Sequence, residues 1–380
     1  MSDSDPITRL NAALEGRDRV VEGQGRASRS ATRRILGGVA ALIVVTAGIG
    51  GASVLRSRNA PTLRVQLGSR AVSKLPFLLA ADQGLYEKYG LTVDLNLPPA
   101  DFDGAVVNPG LAGRVWRRLL RGPWETDVYL NGATPEVVSM VNDLNPPRFL
   151  LLASTDCVVR SHIIARHGIQ SLEELRGMRI GVTGIMHNIT SYVALELADR
   201  MGWDPVKDVS IILNGADPDD LREGRVDAIV ARERHYAELQ REGFPVLLDT
   251  RSWGDVPVGG NSVRVPEGWV EEEQNREAMR RFMMALVEAM ALLHEDRDLA
   301  LEVLQRWNGV PLWYAEIMYD RAAFPRIPYP CYEGIRRTMD VYDSHEMRKY
   351  EAEDFYDDRI LRELEESGFI DQVYADVRGR

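Results

Sequence analysis

The sequence predicts an α/β fold: two Rossmann-like lobes joined by two crossings, behind an N-terminal transmembrane helix. Three observations carry that expectation. The run Gly168 to Val230 reads as strand, polar turn and helix, followed by a second strand–helix unit ending in GRVDAIV (224–230). The stretch TLRVQL (62–67), with its polar loop and the helix behind it, repeats the same unit nearer the start. Ile35 to Leu55 is free of charge and long enough, at ~1.5 Å per residue, to cross a ~30 Å hydrocarbon core.

The chain has 380 residues, enough for two domains of ordinary size, and its apolar content of 45% is that of a globular protein. A net charge of −11 leaves no basic field to displace counterions, which excludes nucleic acid as a partner. Cys157 and Cys331 are the only cysteines and show neither CxxC nor metal-ligand spacing. They could pair in an oxidising compartment, but two unpaired small residues is the plainer expectation, and the cysteine count leaves the compartment open.

Residues 1–34 are polar and short of apolar periodicity, and are expected to form a disordered cytoplasmic tail. Arg26, Arg29, Arg33 and Arg34 precede the span at 35–55 without an acidic neighbour, so the positive-inside rule places the tail in the cytoplasm and the rest outside it. Thr32 to Leu36 also partly resembles a twin-arginine export signal. Retention as a single-span anchor is preferred. Cleavage after Ala52, leaving a periplasmic protein, is the alternative.

Ser57 to Pro61 is a linker. Thr62 to Leu67 alternates as a strand does, and the polar loop after it, with Ser69, Arg70 and Ser73, precedes a helix around Pro76 to Asp82. Asp127 to Leu130 is a further short strand. It exits through Asn131, Gly132 and Ala133 into a helix opened by Thr134, Pro135 and Glu136. Asn131 and Gly132 either expose backbone to a ligand or are plain turn residues. Phe149 to Ala153 is apolar and leads to a crossing near 154–160; Phe244 to Leu248 leads to the return near 248–258.

In the second lobe, Ser171 and Glu174 form a capping box, and Met178 to Val182 is a strand. Thr183, Gly184, His187, Asn188, Thr190 and Ser191 make the turn before a helix on which Val193, Leu197 and Met201 mark one buried face. A helix N-terminus at the carboxyl edge of a sheet can hold polar or anionic ligands through its free N–H groups and dipole. Asp204-Pro205 and Asp217-Pro218 each read as N-cap plus first-turn proline. From Glu271 onward the pattern is helical, with Phe282, Leu286 and Met290 on one face. Phe355 to Leu364 continues as helix to Gly368, and these helices are expected to pack on the first lobe. The expected partition is 62–155 with 256–380 for lobe 1, and 156–255 for lobe 2.

These blocks resemble the solute-binding proteins of ABC importers for sulfonates, taurine, nitrate and thiamine-precursor pyrimidines, of the periplasmic-binding-protein type II fold. The residues that carry the resemblance are LPFLLAADQGLYEKYGLTVDL (75–95), SLEELRGMRIGV (171–182), GWDPVKDV (202–209), GRVDAIV (224–230) and FYDDRILRELEESGFID (355–371). The resemblance implies a small solute held between two closing lobes and passed to an ABC permease in the membrane, with no cofactor and no catalytic residue. It also implies ligand contacts from Ser69, Arg70 and Ser73; from Asn131, Gly132 and Ala133; from Gly184, His187, Asn188, Thr190 and Ser191; and from Ala231, Arg232 and Glu233. The turn Ile185-Met186-His187-Asn188-Ile189 departs from the small hydroxyl residues usual there, which points away from a sulfonate and toward a larger, partly apolar ligand.

Each candidate has a plainer role. His187 reads as a ligand contact or as a turn histidine facing solvent. Arg70 and Arg232 read as forks for a carboxylate or sulfonate, or as surface arginines. Trp253 lines the cleft or packs at the hinge. Arg114, Arg117, Arg118 and Arg121 share a helix face that is best read as solvated, and neither His294-Glu295-Asp296 nor Asp357-Asp358 has metal-ligand spacing. No GxSxG, P-loop or HExxH motif is present. Decarboxylases of the dihydroxyphthalate type and thiamine-pyrimidine synthases resemble the chain at fold level. An exported location argues against the first, and the missing cysteine-rich iron motif against the second.

Overall fold

The computed structural model describes residues 61–98, 126–142, 148–184 and 188–379. The tail, the span at 35–55, the arginine helix at 114–121 and His187 lie outside the described residues. Among the described residues no helix is long and apolar enough to cross a membrane.

The chain begins with β1 (Thr62–Leu67), whose alternate residues Leu63, Val65 and Leu67 are buried. A 3₁₀ turn leads to α1 (Leu75–Asp82), α2 (Leu85–Lys88) and β2 (Thr92–Asn96). After β3 (Val128–Gly132), α3 (Ala133–Asn142) and β4 (Phe149–Ser154), the chain crosses to β5 (His162–Ala165). There follow β6 (Arg179–Val182), α4 (Ile189–Arg200), β7 (Ser210–Leu213), α5 (Pro218–Arg222), β8 (Ala228–Ala231), α6 (Glu233–Arg241) and β9 (Val246–Asp249). The return brings β10 (Asn261–Pro266), then α7 (Glu273–Glu295), α8 (Arg297–Asn308), α9 (Leu312–Asp320), α10 (Tyr332–Val341), α11 (Arg359–Glu366) and α12 (Phe369–Arg378).

Two five-stranded sheets result, in the orders β2-β1-β3-β10-β4 and β7-β6-β8-β5-β9. In each, three neighbouring strands run parallel, and the strand arriving from the other lobe (β10 or β5) inserts antiparallel, second from one edge. The lobes are therefore mixed sheets rather than wholly parallel ones. β5 and β8 are buried along their whole length, as strands covered on both faces must be.

The crossings fall where the apolar runs end. They are hydrogen-bonded to each other as a short ribbon: Thr155 N donates to Asn261 O, Val159 N to Val256 O and Val258 N to Cys157 O, at 2.9, 2.9 and 3.0 Å. Gly260 is required in this ribbon, because a Cβ there would stand 1.8 Å from Asp156 O. Cys157 and Cys331 form a disulfide with Cα atoms 5.3 Å apart, which corrects the expectation of unpaired residues. Folding sets the N-terminus of α10 against the first crossing across 174 residues of sequence. No local spacing announces a contact of that kind.

The C-terminal helices gather on the first sheet and its helices, and one of them also reaches the hinge. α7 does bury Phe282, Leu286 and Met290 against the first sheet, with Phe282 stacked on Tyr86 and Phe77 at 5.4 and 6.0 Å. α10 packs on α3, with Thr338 Oγ1 3.0 Å from Thr134 Oγ1, and also lies across the hinge: Gly334 abuts Val258 O, and Arg337 pairs with Glu196 of α4 at 3.0 Å. α4 is consequently buried at every position from Thr190 to Ala198, not along one face. Helix α11 starts only at Arg359, after a 3₁₀ turn at Ala352–Phe355, and Gly368 in left-handed conformation opens α12. Asp217 caps α5 as expected, accepting from Asp219 N at 2.9 Å. Asp204 holds a single turn through Val206 N instead of starting a helix. Only the glutamate half of the capping box forms, with Ser171 N donating to Glu174 Oε1 at 3.1 Å.

Candidate functional site

In a parallel sheet, ligands collect at the carboxyl ends of the strands, where loops leave and helix N-termini arrive. Here those ends face one another. The loops after β1, β6 and β8, together with α8 and α9, enclose a cavity of about 300 Å³. Gly68, Ser69, Arg70 and Ala71 come from the first loop, Thr183 from the second, and Arg232 to His235 from the third. Asn308, Val310, Tyr314 and Met318 close it from the C-terminal helices.

Of the sequence candidates, Ser69, Arg70, Arg232 and Glu233 line this cavity. Arg70 is set by its backbone surroundings: Nε donates to Pro98 O at 2.7 Å and Nη1 to Trp307 O. Its partial burial, with no carboxylate beside it among the described residues, lowers its pKa. Arg232 lies 3.7 Å from Glu233 Oε2 and is the N-cap residue of α6 without a side-chain cap. Both arginines thus line the cavity with donors to spare, and Glu233 adds a carboxylate acceptor.

Ser73 is buried and lines a small recess of about 20 Å³ at the hinge, with Asp156, Arg160, Arg232, Glu233 and Arg321. Its carbonyl accepts from Thr155 Oγ1 at 2.6 Å. Asn131, Gly132 and Ala133 are not among the lining residues. Asn131 Nδ2 donates to Glu136, and Ala133 N donates to Gly260 O at 2.7 Å, so this exit is spent on the second crossing. Gly184 adopts φ +57° beside Thr183. Asn188 caps α4, accepting from Thr190 N and Ser191 N at 2.9 and 3.1 Å, while Thr190 Oγ1 accepts from Thr183 N. That helix end is satisfied from within. Trp253 packs against the second core with the Arg200 guanidinium 4.8 Å above its ring, away from the cavity.

Sequence reading missed several residues that the fold brings here. Lys74 is 3% exposed, and burial drives its pKa down to about 7, with Asp156 opposing and Arg232 assisting that shift. Burial raises the Asp156 carboxyl against the backbone N–H of Asn261 and the charges of Arg232 and Lys74. Burial, and after it the Arg234 charge, lowers the His235 pKa. Beside the recess, His162 (2% exposed) stacks on Tyr236 at 3.8 Å, and Arg321 Nη1 meets its Nε2 and donates to Asp249 Oδ2 at 3.1 Å. Burial and the Arg321 charge hold the His162 pKa down to about 3. The only usable signals were a charge in an apolar context (Lys74 before LPFLLAAD) and a histidine opening an apolar strand. Among the described residues no cluster suited to a metal ion occurs.

Comparison with known proteins places this geometry. Residues 159–300 match the family described as NMT1/THI5 like. No curated protein sequence matches the chain. Among solved structures, the periplasmic nitrate-binding protein NrtA from Synechocystis PCC 6803 superposes with TM-score 0.58 at 15% identity, over 80% of this chain and 88% of that one. The alkanesulfonate-binding protein SsuA from Xanthomonas axonopodis pv. citri, bound to MOPS, gives 0.54 at 16% identity, over 74% and 91%. The desulfurization enzyme DSZB gives 0.56 at 16% identity, over 81% and 99%. The chain shares one fold with all three.

Proposed function

We propose that this chain is the extracytoplasmic solute-binding component of an ABC importer, holding a small organic solute in the cavity between its lobes. The observation that carries the reading is the cavity itself. Its walls come from the strand ends of both sheets, so a ligand touching both favours the closed arrangement over the open one. Two of the fold-mates named above are themselves binding proteins, NrtA a periplasmic nitrate-binding protein and SsuA an alkanesulfonate-binding protein. The uncharged segment at 35–55 tethers the domain to the membrane and leaves the lobes outside the cytoplasm, next to a permease. A disulfide at the hinge suits that oxidising location.

DSZB makes an enzyme on this scaffold the competing reading. Both cysteines of this chain are consumed in the disulfide, so no thiol nucleophile is available. The deciding experiment is a thermal-shift screen of the full chain in mild detergent against sulfonates, nitrate, pyrimidines, aromatic carboxylates and amines, with mass analysis of each hit. A stabilised protein with its ligand recovered unchanged supports the receptor. A converted ligand supports the enzyme, and a protein that no solute stabilises removes the receptor reading.

A further inference from the structure

We propose that Asn308 selects a cleft ligand bearing a hydrogen-bond donor, an N–H or O–H group, in addition to an acidic group and an apolar body. The inference rests on the solute-binding reading above and names the chemistry of its ligand. Asn308 ends α8 and is 6% exposed in the cavity lining. Its Nδ2 donates to Arg70 O at 2.8 Å. A carbonyl can only accept, so this bond fixes which way the amide is turned and leaves Oδ1 on the other side. That Oδ1 is buried and has no hydrogen-bond partner. An unmet buried acceptor destabilises a fold, and native chains rarely keep one without a use.

A second unmet atom lies across the cavity. His235 Nδ1, on α6, is likewise buried without a partner. The two sit on opposite walls, one on a helix packed against the first core and one on the second lobe. Between them the lining divides in chemistry. Val310, Met318 and the Tyr314 ring are apolar, and Arg70, Arg232 and Arg234 are cationic against the one carboxylate of Glu233. An acid group suits the arginines, and an apolar body suits the former wall. Only a donor satisfies Asn308 Oδ1. A bare oxyanion such as nitrate offers acceptors alone, and it leaves most of a 300 Å³ cavity unfilled.

The test is calorimetric titration of the full chain in detergent with matched pairs in which the donor is replaced by methyl. The pairs are 4-hydroxybenzoate and 4-methylbenzoate, 2-hydroxyethanesulfonate and propanesulfonate, and the 4-amino and 4-methyl forms of pyrimidine-5-carboxylate. In at least one pair the donor member should bind about tenfold tighter or better. In Asn308→Leu that ratio should fall to about one, the donor member losing about tenfold more affinity than the methyl member. Asn308→Ala serves the same purpose if the leucine variant does not fold. Equal affinity within every pair overturns the inference, as does a ratio that survives the substitution. Equal weakening of both members also overturns it, because it makes Asn308 only a support for the Arg70 loop. If none of the six binds while the wider screen finds other solutes, the inference fails and the receptor reading stands. If nothing binds in either experiment, both fail.

Discussion

Lys74 is a charged side chain buried at a cost to stability. Burying an ammonium costs solvation that a partial partner such as Asp156 does not return in full. The folded pKa near 7 lies below the unfolded value of 10.5, so between those limits the unfolded chain holds a proton that the folded one has lost. Stability of the wild type should therefore rise as pH climbs from about 7 toward 10. Lys74→Met keeps the stem and removes the charge. It should stabilise the ligand-free protein by about 1–3 kcal/mol at pH 7, with the gain shrinking at higher pH, and should weaken binding of an acidic ligand. Chemical denaturation across pH and one calorimetric titration check both halves; a destabilised variant would show that Lys74 is fully paired. Asp227 behaves in the opposite sense. It receives Arg179 and Arg166 at 2.9 and 3.0 Å, and hydrogen bonds from Arg179 hold its carboxyl at about 2. Its contribution, about 2 kcal/mol, is fully present above pH 4 and lost as pH falls toward 2. Asp227→Asn should lower stability at pH 7 and flatten the acid limb of the curve.

At the scale of elements, what was legible in the sequence follows from locality. β1, β4, β6 and the crossings were readable because alternation and apolar runs repeat within a few residues. Of the cavity's loop residues, Ser69 and Arg70 were readable from the polar loop at a strand exit, whereas Arg232 and Glu233 were named only through the family resemblance. Asn188 and Thr190 were placed in the right turn, yet their polar atoms cap α4, a competition between ligand and backbone that no pattern resolves. Asn308, Tyr314 and Arg321 were illegible. They reach the site from helices whose own periodicity reports only burial, and Arg321 meets a histidine 159 residues away. The disulfide was illegible for the same reason. Its loss is testable: the Cys157→Ala, Cys331→Ala pair frees a closed loop of 174 residues and should cost about 3–5 kcal/mol. Urea unfolding with and without reductant measures this. Reductant should lower the midpoint of the wild type and leave the double variant unchanged.

At the scale of the molecule, the question is what holds two lobes near each other before a ligand arrives. The crossings and the disulfide fix the hinge side. On the cleft side α9 packs on α6, with the Arg241 guanidinium 4.3 Å above the Trp313 ring, and Arg321 adds a polar latch. It follows α9, whose end is anchored to the first core by Tyr319 Oη donating to Leu293 O and by the packing of Ala322 and Phe324. From there its guanidinium enters the second lobe, 4.0 Å above the Tyr236 ring, donating to Asp249 and meeting His162. His162 must be neutral to accept, and burial with the arginine's own charge keeps it so. Arg321 is only 13% exposed, so solvent screens this contact weakly. A latch of this kind biases the closure equilibrium, and a ligand that needs the closed form inherits the bias as affinity. In Arg321→Ala the ligand-free lobes should open, seen as a larger radius of gyration in solution scattering. Affinity for any cleft ligand should fall about five- to thirtyfold, the equivalent of roughly 1–2 kcal/mol. Saturating ligand should restore the compact form, because the hinge is untouched. An unchanged radius together with unchanged affinity would mean that the hinge and the α9–α6 packing set the closed state and that Arg321 is a packing contact.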